Sequence, residues 1–276
     1  MLTAAAGGSM VHHLRSEKSM KKQKLTLFSE TLELAVADQG DGRAFLILHG
    51  GAGPASVAGL ADALSKNARA IAPTHPGFDG EPRPDWFARI DDVVLAYLAL
   101  IETLNLSEVV AIGNSVGGWI AAELALRKSP RLAGIVLLNA VGIDTGSSER
   151  PIVDPMTLAP AERLALSFHD PRRFAIAPSG PEAVAAMAEN QRTLRVYAGE
   201  PFMHDPSLRS RLAALSIPAM VAWGESDRIV DVDYGRRFAA SMPGARFDVI
   251  AEAGHFPHVE RLEEVVRLIG DFARGL

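Results

Sequence analysis

Four short runs of the chain are apolar at every position: Ala44 to Leu48, Val109 to Ile112, Ile135 to Leu138 and Ala219 to Trp223. Strands covered on both faces read this way, because neither face meets water. Between them apolar residues recur every three or four positions, as in Ile90, Val94, Tyr97, Leu98 and Ile101, the spacing of a helix with one buried face. Strand alternating with helix predicts a doubly wound α/β fold. Ahead of the first run, Lys24 to Phe28 and Thr31 to Ala37 alternate apolar and polar residues around Ser29-Glu30, which predicts an antiparallel hairpin at one sheet edge. Arg69 to Ala72 and Arg246 to Ile250 bring the expected sheet to about eight strands.

One interval breaks the rhythm. Asn139 closes the sixth strand, and the next buried run begins only at Ala219, far more chain than one crossover helix needs. Pro-punctuated helical pieces fill the gap, at Ala161 to Phe168, Pro181 to Tyr197 and Ser207 to Leu215. The expected organisation is a flexible tail over 1–23, a core over 24–141 and 213–276, and a helical cap over 142–212. Within the cap, Met156, Phe168, Phe174, Met187, Phe202 and Met203 either line a ligand pocket or pack the cap onto the core.

Composition narrows the chemistry. In 276 residues, 28 Lys+Arg stand against 33 Asp+Glu, a net charge of −5, which leaves no basic footprint for nucleic acid or an anionic membrane. Cysteine is absent, which excludes disulfides, thiolate metal sites, iron–sulfur clusters and a cysteine nucleophile. No unbroken apolar run of signal or membrane-span length opens the chain, so it reads as cytoplasmic, a monomer or homodimer. His12-His13 reads as part of a solvated tail, and with no clustered histidine set the expectation is no metal and no cofactor.

The candidate chemistry sits where buried strands end. Gly113-Asn114-Ser115-Val116-Gly117 follows one such strand and precedes the amphipathic stretch Trp119 to Lys128. This is G-x-S-x-G on a strand-to-helix turn, where glycines remove the Cβ atoms that would collide in a sharply bent backbone and the serine hydroxyl stands proud of the sheet. Alone the pattern is weak. A second strand ends in His49-Gly50-Gly51-Ala52-Gly53-Pro54, whose amides can donate to an oxygen that becomes negative in a transition state; Gly51 and Val116 are the candidate donors. G-x-G-x-x-G started at Gly51 meets Ser56 at its last position, which argues against a nucleotide loop. A third strand ends in Gly224-Glu225-Ser226-Asp227, where Asp227, with rivals Glu225 and Asp231, can orient a histidine. The last strand is followed by Gly254-His255, and His255 is placed to reach over the strand ends. The chain order serine, acid, histidine is that of an α/β-hydrolase.

From about residue 24 to 276 the chain resembles the α/β-hydrolase superfamily, through His49 to Gly53, Thr74-His75-Pro76-Gly77-Phe78, Gly113 to Gly117, Gly224 to Asp227 and Gly254-His255. The resemblance implies an α/β-hydrolase fold, a mostly parallel eight-stranded sheet flanked by helices with a helical cap after the sixth strand. It implies Ser115 as nucleophile, His255 as general base, Asp227 as its orienting acid, and Gly51 and Val116 as the oxyanion hole. Ser115 argues against the dehalogenases and epoxide hydrolases, which carry Asp there, and Asn139 removes the other strand end at which the acid can sit. The expected activity is hydrolysis of a small carboxylic ester or related acyl compound, with Asn114, Trp119, Phe168 and Met187 as candidate substrate contacts. The alternative is C–C bond hydrolysis: Gly113 to Gly118 also resembles the elbow of the meta-cleavage hydrolases, whose acidic substrates need a cationic group that Arg172, Arg173, Arg192 or Arg195 can supply. Lactone and amide cleavage, haloperoxidase-like activity and a non-catalytic ligand-binding role on the same fold are also compatible with these residues.

Overall fold

The computed structural model describes residues 21–28, 31–146, 151–174 and 180–276. His12 and His13 lie outside them. Eight strands form one sheet: β1 (Lys21–Leu27), β2 (Leu32–Gln39), β3 (Ala44–Leu48), β4 (Arg69–Pro73), β5 (Val109–Asn114), β6 (Leu132–Leu138), β7 (Ala219–Gly224) and β8 (Arg246–Ile250), in the order β1-β2-β4-β3-β5-β6-β7-β8. β1 and β2 pair antiparallel, as do β2 and β4, and every other pairing is parallel. The hairpin is therefore the edge that the alternation predicts. It is longer than expected: β1 reaches back to Lys21, inside the segment read as tail, because its backbone pairs with Ala37 and Asp38 of β2 although Lys21-Lys22-Gln23-Lys24 has no apolar alternation.

Helices α1 (Ala55–Leu64), α2 (Ile90–Thr103), α3 (Val116–Leu126), α8 (Val232–Ala240) and α10 (Leu262–Arg274) cover the sheet, while α4 (Pro160–Ser167), α5 (Pro171–Phe174), α6 (Pro181–Ala198) and α7 (Leu208–Arg211) lie between β6 and β7, and the single turn α9 (Pro257–Glu260) precedes α10. β3, β5 and β7 are buried at every residue. Their side chains alternate between two cores: Leu46, Leu48, Ala111, Val221 and Trp223 pack with α2, α3 and α8 on one face, while Phe45, Ile47, Ile112, Met220 and Ala222 pack with α1 and α10 on the other. The piece expected at Ser207 to Leu215 breaks into α7 and a 3₁₀ turn, Leu212–Ala214.

α3 is buried along nearly its whole length, and it carries one charge into that environment. The Glu123 side chain, 4% exposed, meets Arg211 of α7 in a two-pronged contact, and Arg211 also reaches Asp205 at 2.6 Å. Taking only the cation away leaves a carboxylate in the core, whereas replacing both partners by apolar groups of similar shape does not. Arg211→Met is therefore expected to cost about 2 kcal/mol in urea unfolding, and adding Glu123→Leu to recover most of that loss.

Candidate active site

Parallel strands deliver their carboxyl ends to one side of the sheet, and the loops that leave those ends build the site. β5 runs into α3 through Ser115, whose backbone sits at φ 56° and ψ −120°, a conformation rarely tolerated outside glycine and held only where the surroundings fix it. Two glycines make the turn possible. A Cβ on Gly113 would lie 2.1 Å from the Gly117 carbonyl oxygen, and one on Gly117 would lie 2.3 Å from that of Leu48. The Ser115 amide donates to Leu138 at 3.0 Å, which ties the turn to the neighbouring strand.

Behind it, Asp227 and His255 form a buried pair, with His255 Nδ1 2.8 Å from Asp227 Oδ2. Asp227 Oδ1 accepts from the amides of Ile229 (2.8 Å) and Val230 (3.2 Å), and Oδ2 also accepts from Asn139 Nδ2 at 2.7 Å. Asn139 in turn takes the Gly224 amide on its own oxygen, 3.1 Å away. The asparagine that removes one place for an acid therefore orients the acid at the other place. The rival carboxylates have other settings: Asp231 accepts from the Tyr234 amide at the start of α8, and Glu225 is exposed. The histidine loop is fixed from two sides. His255 donates its amide to Ser167 at 2.7 Å, and the buried Glu260 accepts from the amides of Gly254 (2.6 Å), His169 (3.2 Å) and Asp170 (3.0 Å).

Ser115 and His255 open into a cavity of about 510 Å³. Gly51 lines it, and Val116 begins α3, where first-turn amides have no partner within the helix. Of the residues expected to touch substrate, Phe168 lines the cavity, stacked on Phe256 with ring centroids 5.1 Å apart, as do Met156, Phe174 and Met203. Asn114, Trp119, Met187 and Phe202 are not in its lining. Asn114 is turned into the protein, its amide donating to the carbonyls of Leu138 and His255 at 3.1 and 3.0 Å. Trp119 packs where a Cβ on Gly142 would lie, and Met187 Sδ contacts the Arg163 guanidinium at 3.9 Å.

None of the four arginines expected to meet an acidic substrate lines the cavity. Arg192 pairs with Glu189, Arg195 approaches Asp154 at 3.6 Å, and Arg173 lies over the Phe174 ring. Among the described residues the lining arginine is Arg163 of α4, to which no sequence motif points.

The loop that carries Gly51 rests on two buried histidines. His49 Nε2 accepts from the His75 amide at 2.9 Å, His75 Nε2 lies 2.8 Å from the His49 carbonyl, and His75 Nδ1 meets the Tyr97 hydroxyl. The two rings stack 3.7 Å apart. Burial pushes His49 down to about 4 and His75 well below the usual histidine value of 6.5.

The Alpha/beta hydrolase family profile matches residues 45–268. The chain belongs to that family. A 2-hydroxymuconate semialdehyde hydrolase of Pseudomonas putida is 29% identical over 85% of this chain and 88% of its own length. In structure the chain is similar to a meta-cleavage product hydrolase (TM-score 0.75, 21% identity, 92% of this chain and 98% of that one). It is also similar to a thermophilic esterase from Thermogutta terrifontis (TM-score 0.67, 24% identity, 92% and 98%). The protein is thus an enzyme of the α/β-hydrolase type, which sets the non-catalytic reading aside. Among the described residues no helix is long and apolar enough to cross a membrane.

The buried imidazoles dictate how this hydrolase responds to acid. His49 is held neutral in the fold at a pH where the unfolded chain binds the proton, so the unfolded state binds more protons between about pH 6.5 and 4. Its contribution, up to about 3 kcal/mol, is complete above 6.5 and is lost as the pH falls toward 4. The urea midpoint is expected to be flat above pH 7 and to fall steadily from pH 6.5 to 4.5, with His49→Gln flattening part of that fall.

Proposed function

We propose that the protein hydrolyses a small carboxylic ester or related acyl compound by two-step acyl transfer on Ser115. The observation that carries this reading is the pairing of His255 Nδ1 with Asp227 at 2.8 Å beneath a cavity that His255 and Ser115 both line. With Nδ1–H committed to Asp227, the lone pair is on Nε2, the nitrogen free to act as base. Ser115 Oγ attacks the substrate carbonyl while its proton passes to Nε2. The C=O pair moves onto oxygen, where the amides of Gly51 and Val116 receive it. Collapse expels the alcohol, which takes the proton from His255 and leaves an acyl-Ser115 ester. Water then gives a proton to Nε2 and its oxygen to the acyl carbon; collapse releases the acid and returns the proton to Ser115. We assign residues 142–212 as the cap that shapes substrate choice, with Phe168 as a substrate contact.

A C–C bond hydrolase is the second reading. The activity named for the Pseudomonas putida relative favours it, and Arg163 places a guanidinium in the cavity lining. The same attack on a ketone expels a carbanion in place of an alkoxide, so the two readings share Ser115, His255 and Asp227 and differ in what stabilises the leaving group.

A fluorophosphonate probe is expected to label Ser115, identified by peptide mass spectrometry; absence of label there removes the nucleophile. Asp227→Asn, which turns the Nδ1–H partner from acceptor to donor, is expected to lower kcat on a nitrophenyl ester by about 10⁴-fold, with Glu225→Gln near wild type. The ratio of kcat/KM for a short nitrophenyl ester to that for a meta-cleavage dienoate separates the two readings. A ratio well above one is expected, and Arg163→Met is expected to depress the dienoate value selectively, by about tenfold.

A further inference from the structure

Gly51 lines the cavity, and its amide has no acceptor among the described residues. That amide shares a trans peptide with the Gly50 carbonyl, and in a trans peptide the two groups point opposite ways, so whatever holds the carbonyl aims the amide. The peptide lies beside the nucleophile: a Cβ on Gly50 would stand 3.0 Å from Ser115 Cβ and from Asn114 Oδ1. With glycine on either side no Cβ resists its rotation, and its direction must be imposed by neighbours. The Gly50 carbonyl accepts from His49 Nδ1 at 2.7 Å and from the Gly53 amide at 3.1 Å.

Behind that carbonyl the hydrogen bonds run one way. Backbone amides only donate and carbonyls only accept, so each imidazole tautomer is settled by the group it faces. His49 Nδ1 faces a carbonyl and carries the proton, while Nε2 faces the His75 amide, 2.9 Å away, and keeps the lone pair. His75 Nε2 faces the His49 carbonyl at 2.8 Å and carries the proton, which leaves its Nδ1 to accept from the Tyr97 hydroxyl. Burial keeps both rings neutral and Tyr97 protonated. None of the three side chains is more than 1% exposed. Phe78 stands edge-on to both stacked rings, its centroid 4.9 Å from that of His49 and 5.8 Å from that of His75.

We propose that Tyr97, His75 and His49 are positioning residues for the oxyanion hole, a one-way chain of hydrogen bonds that fixes the His49 ring and, through the Gly50 carbonyl, aims the Gly51 amide at the oxygen that gains charge. The chain starts on α2, crosses the loop after β4 and ends in the loop after β3. None of its three side chains lines the cavity, so it prepares the site from beneath. His75 grips the neighbouring loop twice, through its ring on the His49 carbonyl and its amide on the His49 ring. A donor stabilises a developing charge most when it is aimed before the charge appears, because nothing then has to reorganise. The proposal rests on the reading of Gly51 as an oxyanion donor.

The test takes His49→Gln, His49→Asn and Tyr97→Phe, with kcat and KM on a nitrophenyl ester and a crystal structure of each protein. Gln leaves no donor at the place of Nδ1, whereas the shorter Asn puts an N–H there. In His49→Gln kcat is expected to fall about thirtyfold, short of the hundredfold or more that follows outright loss of an oxyanion donor, because the Gly53 amide still holds the carbonyl. His49→Asn and Tyr97→Phe are expected to lose about fivefold, the effect of one neutral hydrogen bond. KM stays within about twofold throughout, since the chain meets no substrate, and the Gly50–Gly51 peptide is turned in the His49→Gln crystal and in place in His49→Asn. Equal losses in His49→Gln and His49→Asn, the mark of a packing role, overturn the proposal, as does an unmoved peptide in His49→Gln. A turned peptide with unchanged kcat overturns it by another route, removing Gly51 from the oxyanion hole. Failure of the acyl-transfer reading shows separately, as wild type without ester turnover or fluorophosphonate label on Ser115, and the peptide in the His49→Gln crystal still decides whether the chain aims it.

Discussion

A buried carboxylate sets the terms for the rest of the molecule. Asp227 loses its water on folding, a cost that an ion repays only when donors surround it. Four do: two amides from its own loop, the side-chain amide of Asn139 and His255 Nδ1. They come from three strand ends, so β6, β7 and β8 must keep their register for the carboxylate to be satisfied. The parallel pairing that aligns those ends is therefore a condition of the site as well as a feature of the sheet. The strain at Ser115 belongs to the same arrangement, since the backbone that holds φ 56° is pinned to Leu138, one residue before Asn139.

The segment between β6 and β7 is fastened to these parts directly. The last carbonyls of α4, which the helix itself cannot satisfy, accept from the loops that carry the acid and the histidine: Leu166 from the Arg228 amide at 3.2 Å and Ser167 from His255 at 2.7 Å. The Arg228 side chain adds a bond to Ala165 at 2.9 Å. One helix end thus closes its own hydrogen bonding and holds two loops of the site, so disturbance of α4 reaches His255 without passing through the sheet.

What the sequence disclosed and what it withheld divide along physical lines. Unbroken apolar strands and a glycine-flanked serine are local constraints, and they are visible because the residues that satisfy them are neighbours in the chain. Asn139, Glu260 and Arg163 act through bonds or a cavity that only the folded chain brings to them: Asn139 to Asp227, Glu260 to His169 and Asp170, and Arg163 to the lining. The mistaken expectations have the same origin. Asn114 adjoins Ser115, yet successive side chains at a strand end point in different directions, and Trp119, four residues on, packs beside Gly142; both face the interior. Arg195 meets Asp154, a partner far away in the chain, whereas Glu189 stands three residues before Arg192 on the expected helix and its pairing is legible there.

α6 carries this separation of tasks on a single helix. Asn190, Thr193 and Tyr197 fasten it to the loop after β4, bonding the Asp79 amide at 2.8 Å and the carbonyls of Gly77 and Pro76 at 2.7 and 2.8 Å. Gly77, at φ +87°, accepts this closeness because a Cβ there would lie 2.8 Å from Thr193. Gln191 and Leu194, one residue further round each turn, look into the cavity. The polar anchors and the cavity-lining residues interleave along the helix, and Leu194, 4% exposed, serves the core as well as the wall. Gln191, only half-buried, is therefore the position of α6 at which the cavity wall can change at least cost to the anchorage of the helix.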